Sequence, residues 1–315
     1  MPRSASASLR GRCSVGDAQI LVVGALHLDV VVDAPHLPAL DETVVGHGVA
    51  YRFGGKGGNQ AVAAARMGGR VAMAGRVGPD RFGAQILAGL EAAGVDRTGV
   101  LTVPGASGMS VAIVDAAGDY GAVIVSGVNR DIDAGAVVLP AGLRTVLLQN
   151  EVPETVNTTI ARRADPAVRI ILNAAPARSL APDISARVDV LIVNRGEAAA
   201  LVGTDDPHAA AERLSAMGPR AVVVTRGADG LICARPGQAP LTQPAPRVQV
   251  ISTHGAGDAF AGALAAALSQ GDGQADPMPG ALAFAQAAAA LTVATHPDAR
   301  AAITPDAVHR LMAGL

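Results

Sequence analysis

The sequence predicts an α/β protein with a mostly parallel central sheet, and two observations support this fold class. Six short apolar runs bounded by turn residues have the character of buried strands: QILVVG, RVAMAG, RTVLLQ, VRIILN, VDVLIVN and RAVVVT. Alanine-rich stretches of helical length lie between several of them, including NQAVAAARMGG, RFGAQILAGLEAAG and HAAAERLSAMG. Buried strands that alternate with helices are typical of a parallel sheet covered by helices on both faces.

Two segments depart from this alternation and predict a second, smaller sheet. VVVDAPHLPALDETVVGHGVAYRF and MSVAIVDAAGDYGAVIVSG each contain two strand-like runs, and the turn-like DAAGDYG joins the second pair. We expect antiparallel lid strands at about 28–52 and 107–127 that cover a site. Apolar residues alternate at strand period in the second segment, a pattern that fits closure over a substrate, a dimer contact or ordinary strand packing: Met109, Val111, Ile113, Val123 and Val125.

The two ends of the chain and one proline-rich stretch complete the predicted organisation. Residues 1–17 are rich in Ser, Ala and Arg, and we expect a disordered tail there, followed by a single domain over 18–315. The proline-rich segment 236–250 predicts an irregular or edge strand. GAGDAFAGALAAALSQ and PGALAFAQAAAALTVAT predict C-terminal helices.

Composition excludes several classes of function. A formal net charge of −2 and an aromatic content of 2% argue against nucleic-acid binding, which needs basic patches or stacking platforms. Cys13 and Cys233 match no metal or redox spacing, which favours a reducing cytoplasm. The seven histidines show no metal-ligand spacing either. No apolar run has the length that a transmembrane helix requires.

Three glycine clusters stand out: GGKGGN (54–59), RGADG (226–230) and HGAGDAFAG (254–262). None matches a P-loop, and none forms the dinucleotide fingerprint after the first strand. In the third cluster, small residues precede a helix whose first turn contains Asp258, so that free backbone N–H groups form an anion site. A carboxylate beside such a site suits phosphoryl transfer to a hydroxyl, although Asp258 also suits simple helix capping.

Lys56 is the single lysine among 25 basic residues, and it lies between two glycine pairs. A compact ammonium differs physically from the planar fork of arginine. We therefore expect a function for Lys56, the alternative being chance retention in a lysine-poor composition.

RFGGKGGNQAVAAARMG and STHGAGDAFAGAL resemble the two signature segments of the ribokinase, or PfkB-type, sugar kinase family. VVGALHLD, LPALDETVVG, LQNEVP, LNAAPAR, VNRGEA, VVVTRGADG and FAQAAAALTV also have counterparts there, in order, so that the resemblance covers roughly 18–315. It is nearer to the ribokinase branch than to the fructose phosphate or adenosine branches.

The resemblance implies a three-layer α/β/α sandwich with a small β-sheet lid. It also implies an ATP- and Mg²⁺-dependent enzyme that phosphorylates a primary hydroxyl of a pentose, with D-ribose the best single candidate. A nucleoside kinase of the same fold, acting on a pseudouridine-like substrate, and a catalytically silent sugar-sensing protein remain alternatives. A Rossmann dehydrogenase, an alternative from fold alone, would need the missing glycine fingerprint. The family further implies a homodimer through the lid.

The resemblance also implies residue roles. Asp258 is the expected catalytic base and also a sugar ligand, with Gly255, Ala256 and Gly257 as the anion hole. The other expected sugar ligands are His27, Asp29, Gly55, Lys56, Asn59 and Glu151. The expected ATP-binding residues are Asn194, Thr225, Gly227, Gly230 and Gln286. Asn194 and Glu197, in NRGE, are expected to hold Mg²⁺ through water, with an ordinary helix start as the alternative.

Two positions depart from the family pattern. His27 stands where the family usually has an asparagine; the bulkier, titratable imidazole would also suit a sugar that differs from ribose in a substituent. Ser252 stands where ribokinases have an aspartate of a monovalent-cation site, and the neighbouring loop 295–302 is altered as well. We therefore expect activity that depends little on K⁺.

Overall fold

The computed structural model describes residues 17–115, 117, 119–271 and 275–314; of the expected N-terminal tail, all but Asp17 lies outside this part. The described strands are β1 (Ile20–Val23), β2 (His27–Asp33), β3 (Gly48–Gly54), β4 (Val71–Val77), β5 (Asp96–Thr102), β6 (Gly108–Val114), β7 (Tyr120–Val125), β8 (Thr145–Gln149), β9 (Arg169–Asn173), β10 (Val190–Asn194), β11 (Val222–Thr225), β12 (Leu231–Ala234) and β13 (Leu241–Gln243). The described helices are α1 (Lys56–Arg66), α2 (Arg81–Ala92), α3 (Glu154–Arg163), α4 (Pro182–Ser185), α5 (Arg195–Val202), α6 (Pro207–Ser215), α7 (Ala256–Gln270), α8 (Met278–Ala294) and α9 (Pro305–Ala313).

The main sheet has nine strands in the order β13-β12-β11-β10-β9-β8-β1-β4-β5. Its pairs from β11 across to β5 are parallel, whereas β12 and β13 are antiparallel additions at one edge. The six predicted buried strands all lie in the parallel part. The proline-rich segment contributes the edge strand β13, where a missing N–H donor disturbs the ladder least.

Alternate residues of each central strand enter two different cores, and this makes the sheet the middle of three layers. Ile20 and Val22 of β1 pack with α1, α2, α7 and α8, while Leu21 and Val23 pack with α3, α4, α5 and α6. The predicted α/β/α fold with a mostly parallel sheet is therefore confirmed.

The second sheet has four strands in the order β3-β2-β6-β7, and both predicted hairpins belong to it. By register, Val30, Val111 and Val123 lie side by side on one face, and Asp29 and Ser110 lie on the other. The alternating residues of the 107–127 segment thus face away from Asp29.

Helices α1 and α7 approach each other unusually closely. A Cβ built on Gly262 of α7 would lie 2.5 Å from the carbonyl oxygen of Gln60 and 2.6 Å from Cβ of Ala63. The absence of a side chain at residue 262 therefore lets α1 bring its first turns against the first turns of α7.

Within the described residues, no helix is both long enough and apolar enough to span a bilayer.

Candidate active site

The candidate residues meet at the carboxyl edge of the main sheet. Glu151 follows β8, Asn173 ends β9 and Asn194 ends β10, while α1 and α7 begin nearby. In open parallel sheets this edge forms the crevice in which ligands bind. The chain direction therefore assembles the site from segments that are far apart in sequence.

Asp258 lies in the first turn of α7 and is buried, but its carboxylate does not cap that helix. It accepts hydrogen bonds from α1 instead: Gln60 Nε2 lies 2.9 Å from Oδ1, and Asn59 Nδ2 lies 3.3 Å from Oδ2. Burial raises the pKa of Asp258, while the charge of Lys56 and the two amide hydrogen bonds lower it. The carboxyl group thus has an elevated pKa and a fixed orientation, as a general base requires.

Gln60 is a site residue that the sequence reasoning missed. Its Nε2 also donates to Oδ1 of Asn173 at 3.0 Å, and Asn173 Nδ2 in turn donates to the carbonyl of Ile192. This chain fixes both amide orientations and directs an N–H group at Asp258. The signal was present in the sequence, because Gln60 directly follows Asn59 in GGKGGNQ, but its partner is 198 residues away.

The start of α1 is bound by a carboxylate from the loop that follows β8. The backbone N–H of Lys56 donates to Oε2 of Glu151 at 2.7 Å. Gly55 adopts φ 82°, in the left-handed region that favours glycine, and a Cβ there would lie 2.7 Å from the carbonyl of Ala25. Helix N-termini stabilise anions, so the position of Glu151 has a local structural cause as well as a possible ligand role.

The ammonium of Lys56 lies among several acidic side chains. Its charge lowers the pKa of Glu151, of Asp258 and of Glu197. The pKa of Glu151 is nevertheless raised, by burial first and also by the charges of Asp258 and Asp29. The charge of the single lysine therefore acts on the catalytic candidate Asp258 and on the expected sugar ligand Glu151.

Asp29 and His27 extend this cluster from the second sheet. Ser110 Oγ donates to Oδ1 of Asp29 at 2.6 Å, and any Cβ at Gly54 would come within 2.1 Å of Oδ2. His27 is buried, and its Nε2 has no hydrogen-bond partner among the described residues. Burial lowers the pKa of His27, with the charge of Asp29 opposing the shift, so the imidazole is neutral at pH 7.

Asn194 and Glu197 form a reciprocal capping box at the start of α5. The Asn194 side chain accepts from the N–H of Glu197, and Oε2 of Glu197 accepts from the N–H of Asn194, both at 2.8 Å. Glu197 is half-buried, and burial raises its pKa, assisted by the charge of Asp258 and opposed by Lys56. The capping box thus accounts for Asn194 and Glu197 as an ordinary helix start. The Glu197 carboxylate nevertheless also interacts electrostatically with Asp258, the catalytic candidate.

The other residues expected to bind ATP, besides Asn194, lie near β11 to β13 and α8. Thr225 Oγ1 donates to the carbonyl of Val193, and Gln286 Nε2 donates to Oε1 of Gln243 at 3.3 Å. A Cβ on Gly230 would lie 2.0 Å from the carbonyl of Gln243, so a structural need explains that glycine. At Gly227, by contrast, a Cβ would have no heavy atom within 4 Å.

The segment before α7 has the geometry of an anion hole. Gly255 is the N-cap in the left-handed conformation, with φ 78° and ψ 0°. The first N–H groups of a helix lack intrahelical acceptors. The N–H of Ala256 makes a long hydrogen bond of 3.4 Å to the carbonyl of Thr253, so an anion would compete with Thr253 for that donor and would also receive the N–H of Gly257. A Cβ on Gly257 would meet open space, which leaves room for a phosphate beside the buried carboxylate of Asp258.

A cavity of about 630 Å³ lies elsewhere, at the amino edge of the sheet, and its lining includes Arg144, Arg163 and Arg169. None of the candidate site residues borders it. The chemistry-bearing groups are therefore concentrated at the opposite edge.

A family model for pfkB family carbohydrate kinases matches residues 17–304. This chain belongs to that family. Ribokinase of Bacillus subtilis (strain 168) is 36% identical over 279 residues, which make up 87% of this chain and 92% of that protein. Deoxyribokinase of Salmonella typhi is 34% identical over 259 residues, or 78% of this chain and 84% of that protein. The structure of Arabidopsis thaliana ribokinase complexed with ribose and ATP matches with a TM-score of 0.83 and 27% identity, covering 94% and 98% of the two chains.

Membership of the pfkB family confirms two expectations from the sequence. The fold is that of the ribokinase-like α/β proteins, and the chain is a phosphotransferase that acts on a sugar hydroxyl. The individual residue roles stay predictions, supported by the geometry described above.

Proposed function

We propose that this pfkB-family kinase transfers the γ-phosphoryl group of ATP to a primary hydroxyl of a pentose, with D-ribose to D-ribose 5-phosphate the best single candidate. One observation carries the proposal: a buried carboxylate, Asp258, stands at the N-terminus of α7 and is oriented by Asn59 and Gln60. Ribokinase relatives and the ribose- and ATP-bound neighbour support the substrate class.

Asp258 acts as the general base in this proposal. Its carboxylate accepts the proton of the acceptor hydroxyl as the oxygen attacks phosphorus, and Gln60 and Asn59 hold it in place. The N–H groups of Ala256 and Gly257 stabilise the negative charge that develops on the transferred group.

The acceptor site uses the cluster around Lys56. Asp29 and Glu151 accept hydrogen bonds from sugar hydroxyls, and Lys56 and Asn59 donate to them. Gly55 lets the start of α1 approach the connection between β1 and β2, at Ala25 and His27, closely. His27 lies two residues before Asp29, on the same face of β2, and its neutral imidazole contributes to the choice between sugars that differ in one substituent.

ATP binds along the segment formed by Thr225, Gly227 and Gly230, with Gln286 toward the base. Mg²⁺ held near Asn194 and Glu197 would supply positive charge to neutralise the phosphates of ATP. Among the described residues no three His, Cys, Asp or Glu side chains form a metal cluster, and the capping box uses Asn194 Oδ1 and Glu197 Oε2. Because the box engages only one carboxylate oxygen of Glu197, Oε1 can accept a hydrogen bond from water, so these two residues fit a hydrated Mg²⁺ held through water.

We also propose that the second sheet is both the lid and the homodimer contact. One face of it carries Val49, Val123 and Val125, whose exposed fractions are 55%, 66% and 48%. An exposed apolar sheet face of this kind marks a protein–protein contact. Light scattering tests this: Val123→Asp should yield monomers, whereas Ile124→Asp, an equally exposed neighbour on the opposite face, should not. A monomeric wild type, or dissociation by Ile124→Asp alone, would contradict it.

We propose a cytoplasmic location and a single kinase domain over 18–315. Cys233 is a free cysteine buried in β12, and burial raises the pKa of its thiol to about 11. Such a thiol is a packing group that needs no oxidising compartment.

A coupled ADP-release assay over pentoses, 2-deoxypentoses, hexoses and nucleosides tests the proposed function. We expect D-ribose or a close pentose to give the highest kcat/KM, with the product phosphorylated at the primary hydroxyl. Preference for a pseudouridine-like nucleoside would replace the pentose assignment. Sugar binding without ADP release would instead indicate a sensing protein.

A further inference from the structure

Arg300 makes an arrangement of hydrogen bonds that the proposed function does not use. It lies in the turn Pro297–Ala302, and its guanidinium donates to three main-chain carbonyls. Nη1 lies 2.9 Å from the oxygen of His254, Nη2 3.3 Å from that of Ser252, and Nε 3.3 Å from that of Thr295. All three guanidinium nitrogens of Arg300 thus donate hydrogen bonds to backbone carbonyls.

These carbonyls belong to the segment that leads into the anion hole and to the end of α8. His254 directly precedes Gly255, the left-handed N-cap of α7, and Ser252 lies three residues before it. A Cβ built on Gly255 would lie 3.5 Å from Nη1 of Arg300. The guanidinium therefore lies directly against the residue that aims the N–H groups of Ala256 and Gly257.

Carbonyl oxygens that converge on one point are ligands for hard cations. Here the guanidinium of Arg300 donates hydrogen bonds to these oxygens instead. A monovalent ion does not fit this place for two reasons. The guanidinium uses the carbonyls, and residue 252 is a serine, which brings no carboxylate. Arginine stays charged in proteins, so the place retains a positive charge without any bound ion.

We propose that Arg300 is a positioning residue that serves as a tethered cation behind the anion hole, in place of a monovalent ion. It fixes the turn at Gly255 and adds positive charge close to where the phosphate oxygens bind. Because the cation is covalently attached, its occupancy does not depend on salt composition. This inference rests on the proposed function, since the anion hole is assigned to phosphate there.

The test compares wild type, Arg300→Ala and Arg300→Met, with Arg310→Ala as a control for loss of an exposed arginine in α9. We expect wild-type kcat to change less than twofold between choline chloride and KCl, and K⁺ to leave its melting temperature unchanged. Both Arg300 variants should lose at least about tenfold in kcat with a nearly unchanged KM for the sugar, because the anion hole is displaced. Millimolar guanidinium should restore part of the loss in Arg300→Ala.

Calorimetry with a non-hydrolysable ATP analogue gives a second readout that needs no turnover. We expect the Arg300 variants to bind the analogue at least several-fold more weakly than wild type and Arg310→Ala. Arg300 variants that match Arg310→Ala, or a wild type that K⁺ activates or stabilises severalfold, would overturn the inference. If wild type bound the analogue but phosphorylated no sugar, the proposed function would fail, while the analogue affinities would still test Arg300.

Discussion

Gln60 donates a 2.9 Å hydrogen bond to Oδ1 of Asp258, and the same nitrogen donates to Asn173 at 3.0 Å. This contact joins α1 to α7 at the atom that the proposed mechanism uses as its base. Because Asn173 is itself fixed by the carbonyl of Ile192, the donor cannot turn away without losing bonds on both sides. The orientation of Asp258 thus depends on packing between distant parts of the chain.

Asp258→Asn should reduce kcat by about 10²- to 10⁴-fold, the usual contribution of a general base, while the KM for the sugar changes little. The amide keeps the shape of the carboxylate but cannot accept the proton. Steady-state kinetics with the preferred sugar measures the effect. Asp306→Asn, which alters an exposed first-turn carboxylate of α9, is the matched control and should retain full activity. Near-normal turnover of Asp258→Asn would remove the base assignment.

Gln60→Leu should move the acid limb of the kcat/KM profile to higher pH. Burial already raises the pKa of Asp258 above its ordinary value, and the Gln60 hydrogen bond opposes that rise. The base must be ionised, so activity falls as the pH drops through the raised pKa of Asp258. Removal of the Gln60 donor raises this pKa further, because a hydrogen bond that favours the ionised carboxylate is lost. Gln270→Leu, at the other end of α7, should leave the profile unchanged. An unshifted acid limb in Gln60→Leu would contradict the positioning role.

Lys56→Arg should raise the KM for the sugar about tenfold or more, the scale of a lost hydrogen bond to a charged group. The larger planar guanidinium of arginine cannot reproduce the position of a compact ammonium whose charge acts on Glu151 and Asp258. Isothermal calorimetry and steady-state kinetics measure sugar affinity and KM. The reverse exchange at an exposed site, Arg310→Lys, controls for the change of residue type. Unchanged sugar kinetics would show that the single lysine is accidental.

Folding stability should fall as the pH drops below about 6.5, in part because of His27. Burial lowers the pKa of His27 in the folded protein, so the unfolded chain binds the proton more readily. The contribution of neutral His27 to stability is therefore fully present above the pKa that His27 has in the unfolded chain. It is lost as the pH falls toward the lower pKa that His27 has in the folded protein. Urea unfolding between pH 5 and 8 measures this, and His27→Asn should show a shallower slope than wild type. Equal slopes would contradict the prediction.

Much of the fold could be predicted because apolar patterning is local. The six central strands and the two hairpins were visible as short apolar runs between turn residues. Strands β5 and β12 were missed: DRTGVLT mixes buried and exposed positions at a sheet edge, and LICA has only four residues. Neither segment contains a run of apolar or alternating residues long enough to predict a strand from the sequence.

The candidate site was predictable only where single motifs hold its residues. Lys56, Asn59 and Asp258 were found in the two glycine-rich segments, and the structure brings them together. Gln60 and Arg300 were not found, because their importance arises from contacts across the α1–α7 interface and between two loops. Such contacts depend on tertiary packing, which one sequence does not display.

Gly262→Ala should destabilise the protein by about 1–3 kcal/mol, the usual cost of overpacking, and should also reduce kcat. The added methyl would lie 2.5 Å from the carbonyl oxygen of Gln60, so α1 must move away from α7. That movement withdraws the Gln60 and Asn59 donors from Asp258. Thermal unfolding and steady-state kinetics measure the two effects.

Gly280→Ala is the matched control for this substitution, because a Cβ there meets no heavy atom within 4 Å in the exposed first turn of α8. Removing a glycine from a helix should stabilise this variant by up to about 1 kcal/mol with unchanged kcat. If Gly262→Ala were as stable and as active as Gly280→Ala, the close approach of the two helices would not be what positions the catalytic carboxylate.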